Sequence, residues 1–379
     1  MLIGGGGTGG HVFPAIAIAD ALREREPETE FLFVGALGRL EMEKVPEAGY
    51  RIIGLPVTGF QRRITLRNVT FFYHLLISMV RSRKIIREFA PHVAVGVGGY
   101  ASGPILKAAS RRGVPILIQE QNSYAGVTNR LLARSAASIC VAYDGMERYF
   151  PAEKIVITGN PVRKELVELF SERSAEGGPG TRAGDGAKSR DDLDLFGLES
   201  GTRICLVLGG SLGAGTINNT ILAHLELLAK EDLQVIWQCG KNFLSRAEEA
   251  VTGGGVKNVR VLPFISAMAA AYRVADVIVS RAGAITISEL CIVGKPVILI
   301  PSPNVAEDHQ TGNARALVSR KAAILFPDRE APAELVPGML DLLNNGDLRG
   351  ELSANIKKLG IPDASGRIAE EVRKIMFHQ

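Results

Sequence analysis

The sequence predicts an α/β protein with two doubly wound parallel sheets. Short apolar runs that lack strict polar alternation recur through both halves with helix-like stretches between them, the pattern of strands covered on both faces. At 379 residues the chain exceeds one ordinary core, and a prior of roughly 150 residues per domain gives two to three domains. A glycine-rich turn follows an early apolar run in each half, Gly4-Gly5-Gly6-Gly7-Thr8-Gly9-Gly10-His11 and Gly209-Gly210-Ser211-Leu212-Gly213-Ala214-Gly215. Strand, glycine turn and helix in that order present free backbone N–H groups and a helix dipole to an anion.

In chain order, the first half carries strand-like runs at residues 1–3, 31–34, 93–97, 116–118, 139–142 and 155–157, with helices at 15–26 and 102–112. The second half repeats the scheme at 204–208, 234–238, 259–262, 277–279, 297–300 and 323–325. Two Rossmann-like domains follow from this alternation. Their boundary is expected shortly after Gly159-Asn160-Pro161-Val162-Arg163, because residues 171–192 are rich in Gly, Ser and charge and cannot bury a core. That stretch reads as a mobile insertion, and its Asp192-Leu193-Asp194 as a poor metal site despite the D-x-D pattern. A last helix, about 365–377, follows Ile361-Pro362 and is expected to pack back on the first domain.

A hydrophobic content of 46% with 22% charged residues is ordinary for a globular protein, and a net charge of +4 does not point to nucleic acid. Four scattered cysteines form no C-x-x-C pair or metal cluster and read as buried thiols in a reducing compartment. Because the chain runs straight into its glycine turn, no signal peptide is expected. The longest uncharged apolar segment, 69–80, falls short of the about 20 residues that cross a bilayer, so a cytoplasmic protein is expected, with a membrane surface still open to it.

Gly5-x-Gly7-x-x-Gly10 fits a dinucleotide fingerprint and raises an NAD-dependent oxidoreductase as one reading. That fingerprint wants an acidic residue at the tip of the second strand, where this chain has Gly35-Ala36-Leu37-Gly38. Gly209-Gly210-Ser211-Leu212-Gly213 fits the hydrolase elbow G-x-S-x-G, yet the later acid and His that could serve it, Asp308-His309, are adjacent and poorly placed for a relay. Ser211 is better suited to hold a phosphate.

Around 280–289, small residues precede a helix start, so a diphosphate can approach Thr286 and free N–H groups, while Glu289 either accepts two ribose hydroxyls or caps the first turn. Asp308, His309, Gln310 and Asn313 follow a strand end, where amides suit sugar hydroxyls. His11, with an ordinary pKa near 6.5, can take a proton from a hydroxyl nucleophile or bind a phosphate, and Glu120 is the competing carboxylate base. No acidic residue occurs from 51 to 87, while Arg62, Arg63, Arg67, Arg81, Arg83, Lys84 and Arg87 flank an apolar strip that includes Phe71, Phe72, Leu75 and Leu76. Such a strip suits insertion among anionic headgroups, or forms a helix's core face.

Taken together, Gly5 to Pro14, Gly98-Gly99-Tyr100-Ala101-Ser102-Gly103-Pro104, Gln119-Glu120-Gln121-Asn122, Gly159 to Arg163, Gly209 to Ala214, Ser280 to Glu289 and Asp308-His309-Gln310 resemble, in order, the peptidoglycan N-acetylglucosaminyltransferases of glycosyltransferase family 28. The resemblance implies a GT-B fold, two Rossmann-like domains facing across a cleft. Residues 1–163 would form the acceptor and membrane-associating domain, 164–362 the UDP-sugar domain, and 363–379 a helix returning to the first. It implies inverting transfer of N-acetylglucosamine from UDP-GlcNAc to the 4-hydroxyl of the muramoyl sugar of undecaprenyl-diphosphate-linked lipid I, giving lipid II.

By position, Ser211 would meet the phosphates, Ile265 the uracil edge through its backbone, and Glu289 the ribose. Ala284, Ile285, Thr286, Ile287, Ser288, Asn122 and Gln310 would lie near phosphates or sugar, Arg163 in the nucleotide site, and Thr8, Gly9 and Gly10 in the donor–acceptor cleft. His11 is the first choice for the base and Glu120 the second; no metal or other cofactor is expected. The implied location is the cytoplasmic face of the bacterial plasma membrane, with other cell-wall synthesis proteins as candidate partners. A soluble UDP-GlcNAc epimerase is the nearest alternative.

Overall fold

The computed structural model describes residues 1–57, 67–176, 188–209, 213–305 and 308–377. They form two compact units, Met1–Val162 with Asp363–Gln379, and Arg163–Pro362. The first unit holds seven strands: β1 Leu2–Gly4, β2 Leu32–Ala36, β3 Arg51–Leu55, β4 Ala94–Gly96, β5 Ile116–Glu120, β6 Ser138–Val141 and β7 Ile155–Ile157. The second holds six: β8 Arg203–Leu208, β9 Leu233–Gln238, β10 Val259–Leu262, β11 Val277–Ser280, β12 Val297–Leu299 and β13 Ile324–Leu325.

Strand orders are 3-2-1-4-5-6-7 and 10-9-8-11-12-13, parallel throughout. In each sheet the order reverses beside the first strand, between β1 and β4 and between β8 and β11. A crevice opens at such a point beyond the carboxyl ends of the strands. The turn after β1 sits there in the first unit, and Gly209 and Gly213 of the turn after β8 in the second.

Burial on both faces explains the unbroken apolar runs. Leu2 of β1 packs in one cluster with Ile105, Leu106 and Ile118, while its neighbour Ile3 packs in the opposite one with Ile18, Leu22, Val95 and Leu117. Burying each such side chain contributes about 1.5–3 kcal/mol. Ile368 and Val372 of the last helix, Ala364–Phe377, join the Ile3 cluster, and Arg373 pairs with Glu26 at 2.7 Å. That helix thus completes the first unit although the whole second unit precedes it in sequence.

Two expectations change. The helix after the first turn begins at Gly9 rather than near 15, since its first N–H groups need no intrahelical partner and glycine is tolerated there. The polar stretch 171–192 is structured at both ends, within the helices Lys164–Glu176 and Arg190–Leu195; residues 177–187 lie outside the described residues. Lys188 pairs with Asp276 at 2.7 Å, and both side-chain oxygens of Asp192 accept from Arg273 at 2.5 and 2.6 Å. Asp192 is therefore a structural anchor in place of half of a D-x-D site.

All four cysteines are buried, and burial pushes the thiols of Cys140 and Cys291 up to about 12, which leaves them unreactive. Among the described residues no helix is long and apolar enough to cross a membrane.

Candidate active site

In the first unit the turn after β1 is held from below. Gly5 N donates to Val34 O at 3.1 Å, and Gly6 and Gly7 take φ of +140° and +98°, where an L side chain is strained. Thr8, extended at φ −142°, caps the helix Gly9–Arg25; the N–H groups of His11 and Val12 both donate to its carbonyl. His11 Nδ1 lies 3.1 Å from Thr8 Oγ1, a contact that fixes the imidazole's rotation. The other edge of the ring rests on Gly98, where a β-carbon would come within 2.9 Å of Cδ2 and 3.0 Å of Nε2. Gly99 touches Gly6 so closely that any side chain there would overlap the Gly6 carbonyl. The turns after β1 and β4 therefore pack backbone on backbone and present Thr8, Gly9, Gly10 and His11 together.

Glu120 ends β5, 2% exposed. Its Oε1 accepts from Asn122 N at 3.1 Å and Asn122 Nδ2 at 3.4 Å, and its Oε2 from Gly126 N at 3.0 Å and Asn129 Nδ2 at 2.8 Å. Desolvation by burial raises its pKa while these donors pull it down. A carboxylate whose two oxygens accept from four donors organises the loop after β5. The neighbouring amides are linked as well: Gln121 Nε2 donates to Val97 O, Gln119 Nε2 to Asn160 Oδ1, and Asn160 Nδ2 to Gln121 O, at 2.7–3.0 Å. This network ties the Gly159-Asn160 segment to the end of β5 and the loop after it, while Gln121 ties that loop to the turn after β4.

In the second unit the turn after β8 lies on the end of β9. Gly209 N donates to Gln238 O at 2.9 Å, and Gly213, at φ +80°, passes so near Cys239 O that a β-carbon would sit 2.8 Å from it. Asn218 donates to Cys239 O at 2.7 Å and accepts from Trp237 Nε1 at 3.0 Å. Ser211, the residue expected at the phosphates, lies outside the described residues.

Gly283 caps the helix Ala284–Val293 after β11, leaving the N–H groups of its first turn pointing out beyond the strand ends. Ala284 and Ile287 are buried, Ile285 and Thr286 half-buried, and Ser288 Oγ donates back to Ala284 O at 3.0 Å. Glu289 is not a first-turn cap, because it lies a turn further along and faces inward. Its carboxylate is 8% exposed, with Arg163 Nε 3.2 Å from Oε1 and the Tyr272 hydroxyl 3.5 Å from Oε2. Burial raises the Glu289 pKa and Arg163 opposes that rise.

Ile265 is buried, three residues beyond the end of β10. Gln310 accepts from Ser302 N at 2.8 Å, fixing its amide beside the turn after β12. Asp308, a left-handed residue at φ 51°, accepts from Thr311 Oγ1 at 2.7 Å and serves the start of helix His309–Val318.

Two linkages escape sequence reasoning. Arg281 donates to Ile300 O and Pro301 O at 3.0 and 3.1 Å and pairs with Asp328, whose other oxygen accepts from Thr216 Oγ1 at 2.8 Å. Asp328 thereby ties the helix after the β8 turn to the end of β11. The second is Glu41. The tip of β2 does meet a carboxylate, supplied from the next helix, Glu41–Glu47: Oε1 accepts from Ala36 N and Oε2 from Gly7 N, both at 2.8 Å. With Glu41 1% exposed, those oxygens are closed to a ribose, and the dinucleotide reading gains nothing from it.

Residues 1–141 match the glycosyltransferase family 28 N-terminal domain and residues 204–368 its C-terminal domain. A Bacteroides fragilis protein named UDP-N-acetylglucosamine--N-acetylmuramyl-(pentapeptide) pyrophosphoryl-undecaprenol N-acetylglucosamine transferase is 53% identical over 99% of this chain and 95% of its own length. A protein of the same name from Cytophaga hutchinsonii is 50% identical over 99% and 96%. Among solved structures, Acinetobacter baumannii MurG superposes with a TM-score of 0.77 at 27% identity, covering 99% of both chains. A Neisseria meningitidis UDP-GlcNAc 2-epimerase reaches 0.66 at 13% identity over 98% of each chain, a likeness of fold alone. Two parallel-sheet Rossmann-like units, the ordered motif blocks and full-length relatives at half identity agree: the chain belongs to glycosyltransferase family 28.

Proposed function

We infer that this chain transfers N-acetylglucosamine from UDP-N-acetylglucosamine to the 4-hydroxyl of the N-acetylmuramoyl-pentapeptide carried on undecaprenyl diphosphate, the step that makes lipid II. The observation that carries this reading is the division of chemistry between the two switch points. The first presents a fixed imidazole. The second presents helix N–H groups and a buried carboxylate suited to a nucleotide.

In that reaction His11 removes the proton from the acceptor hydroxyl, its ring held by Thr8 on one edge and Gly98 beneath the other. The oxygen attacks C1 of the donor sugar from the face opposite UDP, forming the new C–O bond as the C1–phosphate bond breaks, so the α-linked donor yields a β-1,4 product. The departing diphosphate gains charge and is stabilised by the first-turn N–H groups of helix Ala284–Val293 and by the Gly209–Gly215 turn with Ser211. Glu289 holds the ribose hydroxyls, Arg163 supports Glu289, the Ile265 backbone reads the uracil edge, and Gln310 and Asn122 contact phosphate or sugar.

The acceptor's lipid stays in the bilayer, so the enzyme works at a membrane surface. Helix Arg67–Phe89 supports this: Phe72, Tyr73, Leu76 and Val80 are 57–66% exposed, and Arg81, Arg83, Lys84 and Arg87 follow on exposed positions. Phe71 and Leu75 are half-buried, so the contact falls to the outer residues; Arg62 and Arg63 lie outside the described residues. An anionic leaflet attracts such a cluster. The cytoplasmic face of the plasma membrane is the proposed location. An epimerase would need neither a lipid acceptor nor this surface.

The test is UDP release by the purified protein from UDP-N-acetylglucosamine with and without a lipid I analogue. Release that requires the analogue is expected. No release in either case, or release that ignores the analogue, rejects the reading.

A further inference from the structure

Glu41 is an expensive residue for its place. A glutamate at the start of a seven-residue surface helix ordinarily points to water, yet this one is 1% exposed. Taking a carboxylate out of water is costly, and a leucine or methionine would fill the same volume without that cost. What an apolar side chain could not supply is the pair of acceptors that Glu41 aims at Gly7 N and Ala36 N, 2.8 Å each. Room has been made for it from both sides, because a β-carbon on Gly6 or on Gly35 would overlap the Glu41 side chain. Four residues of two separate segments, Gly6-Gly7 and Gly35-Ala36, are thus matched to one carboxylate.

The position matters as much as the fit. Gly7 immediately precedes Thr8, whose carbonyl and hydroxyl start the helix and orient His11. Gly6 is the residue on which Gly99 rests, and Gly98 supports the His11 ring. Both contacts that define the imidazole therefore trace back to the short segment that Glu41 grips. The Gly7 amide, which in a phosphate-holding turn would face the ligand, is spent inward on this side chain.

We propose that Glu41 is a positioning residue for the transfer reaction: an internal anion that locks the Gly6-Gly7 turn and so holds His11 in register with the acceptor hydroxyl. The proposal rests on His11 being the base. Glu41 touches no substrate; it acts through the backbone of the turn.

Small carboxylates test it. In Glu41→Ala, kcat with UDP-N-acetylglucosamine and a lipid I analogue should fall about 100-fold, the scale of a base displaced by an ångström, with KM for the donor unchanged. Sodium acetate or formate should then restore most of the loss by refilling the seat with two acceptor oxygens. Sodium chloride at the same ionic strength should not, and the wild type should respond to neither. Glu41→Gln keeps the volume but turns an NH2 group against a backbone N–H, so it should remain slow and gain nothing from acetate.

A folded Glu41→Ala with wild-type kcat, or a loss that acetate and formate leave untouched, overturns the proposal. Should Glu41→Ala not fold, the isosteric Glu41→Gln decides alone: normal kcat there overturns it, and lowered kcat at unchanged donor KM supports it. A wild type that releases no UDP contradicts the transfer reaction itself, whereas an active wild type beside an equally active Glu41→Gln contradicts only the role of Glu41.

Discussion

Replacing Glu289 with Gln separates the donor site from the rest of the fold. The side chain keeps its shape, but a buried carboxylate that would accept two ribose hydroxyls becomes an amide with one accepting oxygen. Hydrogen bonds to a charged partner are each worth about 1.5–3 kcal/mol, so losing one raises the donor Kd by about 10- to 150-fold. Stability should not fall with it. The Arg163 side chain is 52% exposed and is rehydrated once its partner is gone, and removing a carboxylate whose pKa burial raises relieves a desolvation cost.

The two pH dependences have opposite signs. Folded Glu289 holds its proton to higher pH than the unfolded chain does, so between those values the folded state binds the extra proton and stability falls as pH rises. Donor binding needs the ionised form and therefore strengthens as pH rises through the raised pKa. Calorimetric titration of UDP across that range, for wild type and Glu289→Gln, measures both the affinity loss and the disappearance of its pH slope. Unchanged affinity, or a pH slope that survives the substitution, refutes the ribose assignment.

Other substitutions probe the acceptor side. His11→Ala should lower kcat by roughly 100-fold or more and leave UDP affinity alone; near-normal turnover would remove the base assignment. Gly98→Ala sets a β-carbon 2.9 Å from the His11 ring at a φ of +90°, so kcat should drop roughly 10- to 100-fold and stability by about 1–2 kcal/mol. A stable Gly98→Ala with unaltered kcat would show that the ring does not depend on this support. Leu76→Asp, at a position 66% exposed, should weaken cosedimentation with anionic vesicles while leaving Tm in place; vesicle binding indifferent to it would assign the membrane contact elsewhere.

Much of this was legible because doubly wound sheets write themselves plainly. A strand buried on both faces, such as β8 or β11, is apolar at all but one end position, and a glycine turn must follow the first strand if another backbone is to approach it. β3 was missed because it carries exposed and half-exposed residues along most of its length at the sheet edge, which leaves a weak pattern.

Glu41 was missed for a different reason. A carboxylate was sought at the tip of β2 itself, whereas the chain delivers it from five residues beyond Ala36, after a turn that sends it back. The Arg281–Asp328–Thr216 link joins residues 47 and 112 positions apart, and no local signal announces it. The polar composition of 171–192 suggested mobility, but two ion pairs with Asp276 and Arg273 hold its end. Buried pairing between distant segments is what a single sequence hides best.

The anomeric configuration of the product tests the central claim most directly. A single displacement, with His11 as base and no covalent sugar intermediate, requires that the disaccharide formed from α-linked UDP-N-acetylglucosamine and a lipid I analogue carry a β-1,4 bond, seen by NMR as a large coupling at the new anomeric proton. An α bond, or linkage to a hydroxyl other than the 4-position of the muramoyl sugar, would contradict it.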